Sequence, residues 1–136
     1  MRIMGLDVGD KRIGIAISDP LKITAQSLET LNRTTLTQDI GYLCELLKKY
    51  EVEELVVGIP KNMNGTLGPQ AQKVQEFVQD LLKVKEIKVT YVDERLSTVT
   101  AEKTLIAGDV SRKKRKTVVD KIAAAVILQT HLDRCR

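Results

Sequence analysis

The hydrophobic period first changes along this chain at Thr35, and that change restricts the folds open to it. Before Thr35, the stretches RIMGLDV (2–8), RIGIAIS (12–18) and ITAQSLETL (23–31) read as three successive strands. Gly9-Asp10 joins the first two and Asp19-Pro20 the next two, connections short enough to make an antiparallel meander. After Thr35 the period becomes helical: Leu36, Ile40, Leu43 and Leu47 recur on one face. ELVVGIP then reads as a short buried strand. A helix opened by Pro69 follows, with Ala71, Val74, Phe77, Val78 and Leu81 toward the core, and IKVTYV is the next strand. Helices are predicted from Thr98 to Ala107, closed by Gly108, and from Val118 to Leu132. Right-handed crossovers place the fourth strand parallel to the first and the fifth beside the fourth. The expected fold is therefore α/β, a mixed five-stranded sheet with three antiparallel strands followed by two parallel ones, flanked by helices.

In the second strand, Ile13, Ile15 and Ile17 share one face while Gly14, Ala16 and Ser18 share the other. Both faces can be covered, the small one at close range, which predicts an interior strand. A length of 136 residues without repeat or low-complexity linker predicts a single domain spanning 1–136.

Asp7 is a carboxylate inside an apolar strand, where an unpaired charge costs several kcal/mol. Gly5 and Gly9 lie on its side of the strand and are expected to leave bare space through which a metal ion and a phosphate approach. Gly9-Asp10 followed by Lys11 and Arg12 is equally an ordinary hairpin turn, in which Gly9 supplies a positive φ. Partners for Asp7 decide between these readings. Asp93 and Glu94 sit where the fifth strand runs out, at the same sheet edge, and alternation does not choose between them. Asp120 shares a helix face with Ala123, Ala124 and Ile127, so it points inward. Carboxylates from three separate elements, without histidine or cysteine, make a hard oxygen site suited to Mg2+ or Mn2+. Two such ions serve phosphodiester hydrolysis, one activating water and the other stabilising the leaving oxygen.

GLDVGDKRIGIAISDP, GIPKNMNGTLGP, VDERLST and VVDKIAAAVILQ, in this order over essentially the whole chain, resemble the YqgF family, also called RuvX. That family is described as a Holliday junction resolvase and as a nuclease maturing the precursor of small-subunit ribosomal RNA. The resemblance implies a ribonuclease H-like fold and metal-binding catalytic roles for Asp7, Glu94 and Asp120, selecting Glu94 over Asp93. One departure bears on the substrate. Junction resolvases of this fold place a fourth acid near the one on the last helix, whereas the neighbours of Asp120 are Val118, Val119, Lys121 and Ile122. Symmetric junction cleavage also needs a two-fold dimer, so monomer and homodimer both remain open.

Basic segments supply the expected substrate contacts. Arg112, Lys113, Lys114, Arg115 and Lys116 immediately precede the predicted helix of Asp120, whose N-terminus adds its own attraction for phosphate. Lys61, Asn62, Asn64 and Gly65 fall in the loop after the fourth strand, where an open sheet usually binds ligand. Lys11 and Arg12 follow Asp7, and Arg95 follows Glu94, either as a local ion-pair partner or as a substrate contact. The net charge of +4 permits a polyanion, and 3% aromatics without Trp leave little for base stacking. The expected partner is nucleic acid, an RNA precursor or branched DNA, read through phosphates and shape. His131 reads as a surface residue stabilising a helix end. Cys44 and Cys135 have no paired spacing and are expected to be free thiols. With no leader and no apolar run of spanning length, a cytoplasmic protein with no membrane contact is expected. A phosphotransferase of the actin and sugar-kinase type also begins on a glycine-bracketed Asp, but it needs two such domains. A non-catalytic binding module is disfavoured because every candidate carboxylate is present.

Overall fold

The computed structural model describes residues 1–60, 68–93 and 112–134, with side chains from residue 122 onward in the last stretch. The predicted helix at 98–107 and Cys135 lie outside these residues. The elements are β1 (Arg2–Val8), β2 (Arg12–Ser18), β3 (Ala25–Asn32), α1 (Leu36–Lys49), β4 (Val52–Ile59), α2 (Pro69–Val84), β5 (Lys88–Asp93) and α3 (Arg112–Arg134). They build a five-stranded sheet of order β3-β2-β1-β4-β5. β1–β2 and β2–β3 pair antiparallel, while β1–β4 and β4–β5 pair parallel, as the sequence predicts.

Each face of the sheet carries its own core. Met4, Leu6, Val8, Ile13, Ile15, Ile17, Leu55 and Val57 pack beneath α1 and α2 with Leu43, Leu47, Val74, Phe77, Val78 and Leu81. On the other face Ile3, Ala16, Val56 and Val92 pack against Ala124, Ile127, Leu128 and Leu132 of α3. The second strand is interior, and both of its faces are covered as expected.

Local chemistry fixes the ends of these elements. The Thr35 hydroxyl accepts from the Gln38 amide at 3.2 Å and caps α1, while Pro69 opens α2 where its missing N–H costs nothing. β3 begins at Ala25 instead of Ile23, because the Asp19 carboxylate accepts from the amides of Leu21, Ile23 and Thr24 and gathers that stretch into a loop. Leu36, expected in the core, is exposed at the first position of α1. α3 begins at Arg112, six residues before the predicted Val118. The basic run therefore forms the first turns of the helix instead of preceding it. Arg and Lys are good helix formers and no Pro or Gly interrupts them, so nothing in their chemistry stops the helix at Val118. Cys44 is a free, partly buried thiol whose pKa is pushed up by burial. No helix among the described residues is long and apolar enough to cross a membrane.

Candidate active site

β1 runs through the middle of the sheet, and Asp7 lies half-buried near its C-terminal end, on the face covered by α3. The space around this carboxylate comes from its neighbours across the sheet. Asp7 is paired with Gly14 of β2, and on the other side the parallel register Leu6↔Val57 brings Gly58 alongside. Neither carries a Cβ, so the positions directly beside Asp7 on the flanking strands contribute no side chain.

The glycines of its own strand do something else, which corrects the expectation of bare space. A Cβ on Gly5 would stand 2.8 Å from the Leu128 Cβ and 3.0 Å from the Ala124 carbonyl oxygen, so Gly5 lets α3 approach the sheet. A Cβ on Gly9 would stand 2.8 Å from the Arg12 carbonyl oxygen, which accepts from the Gly9 amide at 2.9 Å. The Gly9 φ lies outside the left-handed region, so close backbone approach is its physical requirement.

α3 runs antiparallel to β1. Ile3 lies by Leu132 at the rim of one cavity, and Gly5 lies against Leu128 and Ala124. Each two-residue step along the strand, about 6.6 Å, is matched by one helical turn of about 5.4 Å. The backbone of Asp120 is one turn further toward the N-terminus than Ala124. Ala123, Ala124 and Ile127 are buried, so the stripe with which Asp120 was grouped is the sheet-facing one.

β5 resolves part of the ambiguity at its end. Val92 pairs with Gly58 and packs beneath α3, so Asp93, paired with Ile59, belongs to the opposite face from Asp7. Glu94 and Arg95 lie outside the described residues, as do Lys61, Asn62, Asn64 and Gly65. β4 itself ends at Ile59, at the sheet edge where β1 delivers Asp7. Lys11 is exposed at the β1–β2 turn, and Arg12 lies on the Asp7 face, two residues along β2 from Gly14. Arg112, Lys113, Lys114 and Arg115 open α3. Among the described residues no group of three or more His, Cys, Asp or Glu side chains gathers to hold a metal ion.

Two polar clusters escaped the sequence reading. The Arg33 guanidinium donates to the Gly9 carbonyl at 2.9 Å and to Asp39 at 3.2 Å, and lies 5.0 Å over the Phe77 ring. Asp39, only 2% exposed, also accepts from the Thr34 amide at 3.1 Å. A signal for it existed, since Asp39 falls inside the apolar stripe of α1, where a charge demands a partner. The second cluster corrects His131, which is buried, not a surface residue. Its Nε2 is 3.3 Å from Glu54, which also accepts from the Thr90 hydroxyl at 2.8 Å. A helix end packed over the start of β4 brings this pair together from opposite ends of the sequence. It borders a cavity of about 530 Å³ with Ile3, Leu21, Lys22 and Ile23, at the end of the sheet remote from Asp7. Asp19 also belongs to that remote end. Its carboxyl is held below the usual range by the Thr24 amide and those of Ile23 and Leu21, a turn-forming effect.

Close relatives share nearly the whole of this chain. A protein of Desulforamulus reducens carrying the provisional name pre-16S rRNA nuclease is 56% identical over 133 residues, covering 98% of this chain and 97% of its own. The fold is that of junction-cleaving enzymes. T. thermophilus RuvC in complex with a Holliday junction substrate superposes with a TM-score of 0.61 at 14% identity, covering 98% of this chain and 96% of its own. The fowlpox virus resolvase with its junction DNA does so with a TM-score of 0.56 at 15% identity, covering 99% of each chain. The family model described as RuvX, Holliday junction resolvase, matches residues 1–134, and with that match and the close relatives the chain belongs to the RuvX family, on a ribonuclease H-like fold.

Proposed function

We propose that this chain is a divalent-metal-dependent nuclease that hydrolyses phosphodiester bonds in the RNA precursor of the small ribosomal subunit, in the cytoplasm. The observation that carries the reading is Asp7, a carboxylate at the end of the central strand with glycine on both flanking strands. A hydrated cation or a phosphate needs that clearance, so the surroundings of Asp7 fit a hard oxygen-bound metal ion. Asp7, Glu94 and Asp120 would hold Mg2+ or Mn2+. Bound in pairs, such ions lower the pKa of an attacking water and stabilise the departing oxygen of the phosphodiester. The antiparallel advance of α3 along β1 supports Asp120 as a member, and the position of Asp93 on the far face supports Glu94 over it.

The remaining residues orient the substrate. Lys11 and Arg12 flank the carboxylate, Lys61, Asn62, Asn64 and Gly65 follow β4 in the sequence, and Arg95 follows Glu94. Arg112, Lys113, Lys114 and Arg115, at the start of α3, add cations to the positive end of a helix. Together they would grip the phosphate backbone without reading bases.

Holliday junction cleavage is the second reading, favoured by the description of the family. The RNA reading is preferred because it comes with a relative at 56% identity, while the junction-bound structures share 14–15% and support the fold alone. One assay separates them: a precursor ribosomal RNA and a synthetic four-way DNA junction, each incubated with wild type and Asp7→Asn in Mn2+, Mg2+ or EDTA. The expected result is metal-dependent RNA cleavage by wild type that the variant lacks. Junction cleavage in its place reverses the substrate. Cleavage in EDTA, or by Asp7→Asn at the wild-type rate, overturns the metal site.

A further inference from the structure

We propose that Arg33 is a positioning residue for the Asp7 carboxylate, acting through the turn that ends β1. The inference rests on the reading of Asp7 as a metal ligand. The turn from Gly9 to Arg12 has an exposed tip at Asp10 and Lys11; it is closed by the Gly9 amide donating to the Arg12 carbonyl at 2.9 Å, and Lys73 of α2 reaches Asp10 at 3.6 Å in an exposed ion pair. Arg33 holds it from the side at two points. Its backbone amide donates to the Lys11 carbonyl at 2.9 Å, and its Nη1 donates to the Gly9 carbonyl at 2.9 Å.

The other end of the same guanidinium is anchored in the interior. Nε donates to Asp39 of α1 at 3.2 Å, and the planar group lies 5.0 Å from the centre of the Phe77 ring of α2. One side chain thus references the β1–β2 turn to both helices beneath the sheet. Metal ligands work within about half an ångström of their productive geometry, and loops do not hold such tolerances unaided. Asp7 is two residues from Gly9, and Lys11 and Arg12 are carried on the same turn, so freedom at Gly9 becomes freedom at the site. Lysine cannot take this role, because an ammonium lacks the planar fork that reaches the Gly9 carbonyl and Asp39 together while covering a ring.

The test compares Arg33→Lys and Asp39→Asn with Val78→Ala, which loosens α2 in the same core without touching the turn. Three quantities are read on each folded protein: thermal stability, Mn2+ affinity by electron paramagnetic resonance, and hydrogen exchange of the Gly9 and Arg33 amides against amides of β4. Both turn variants should exchange at Gly9 and Arg33 about tenfold faster while β4 is unchanged, and should bind Mn2+ about tenfold more weakly. Val78→Ala should lose stability and keep Mn2+ affinity. Should Val78→Ala weaken Mn2+ as much as Arg33→Lys, or should both turn variants bind Mn2+ like wild type, Arg33 is a stabilising residue only. If Arg33→Lys does not fold, Asp39→Asn, which frees the guanidinium from α1, decides by the same readouts. Asp7→Asn is measured alongside. Unchanged Mn2+ affinity in that variant refutes the metal reading of Asp7, while the exchange rates still judge the hold of Arg33 on the turn.

Discussion

The two faces of the sheet are built on different principles. Beneath α1 and α2, large aliphatic side chains fill the space: Met4, Leu6, Ile13, Ile15, Leu43, Leu47, Leu55 and Leu81 are all essentially inaccessible. Beneath α3 the layer is thinner: Ile3, Val56 and Val92 still pack against Ile127, Leu128 and Leu132, but at Gly5 the helix comes so near that the Leu128 Cβ and the Ala124 carbonyl leave no room for a side chain. A thick apolar layer tolerates small displacements, because rotamers can adjust to fill the gaps. A close backbone contact does not. The face carrying Asp7 is therefore the one whose geometry is set most rigidly by the chain itself.

Deleting atoms from the thick layer should give the largest loss of stability. Leu81→Ala, at a fully buried position in α2, should cost about 2–5 kcal/mol in chemical denaturation while leaving turnover per folded molecule near wild type. If turnover falls in proportion to stability, the two faces are not separable. Adding an atom to the thin face should cost less stability and more function. In Gly5→Ala the new Cβ meets the Leu128 Cβ and the Ala124 carbonyl, neither of which moves without α3, so a loss of about 1–3 kcal/mol is expected together with a large fall in nuclease turnover. Full activity in that variant would show that the seating of α3 does not set the site.

The smallest effect belongs to the rim of the thick layer, where the Tyr42 phenol donates to the Glu29 carboxylate. That bond, followed by burial, pushes the Tyr42 pKa up to about 12. Because the protonated phenol makes the bond, its stabilisation is complete below the unfolded value of about 10 and is lost as pH rises through about 12. Tyr42→Phe should cost about 0.5–1.5 kcal/mol at neutral pH, remove the highest step from the phenolate absorbance titration, and flatten the alkaline stability limb. A titration in which that step persists would assign it to another tyrosine.

Much of this architecture is legible before any coordinates, for physical reasons that differ by element. β1 and β2 match their expected bounds because strict alternation and the Gly9-Asp10 connection act locally. α2 matches because Pro69 fixes its start and its apolar stripe has one period. The start of α3 was not legible, since Lys and Arg serve equally in a helix and in a solvated loop. Asp7 was legible as an oddity, but the reason for its clearance was not. Gly14 and Gly58 become its neighbours only through pairing across strands, a register that strand alternation alone does not reveal. Arg33 with Asp39, and Glu54 with His131, are likewise products of packing between elements, visible in sequence only as charges placed on apolar stripes.

The separation of the two cores along the chain has a consequence for the order in which the protein is made. Every residue of the larger cluster lies before Asp93, so a nascent chain holding the five strands, α1 and α2 already contains all it needs to close that layer. The cluster on the other face is missing Ala124, Ile127, Leu128 and Leu132 until α3 arrives, and α3 is tied on by contacts that span nearly the whole chain. Gln129 accepts from the Ala25 amide at 2.8 Å and donates to the Ile23 carbonyl at 3.1 Å, bonds separated by 104 and 106 residues. A chain grown only as far as Asp93 thus holds every residue of the larger core while Asp7 still lacks the helix that covers it. Synthesis from one end to the other works as a timer: the larger core has its last residue well before α3 can be seated over Asp7.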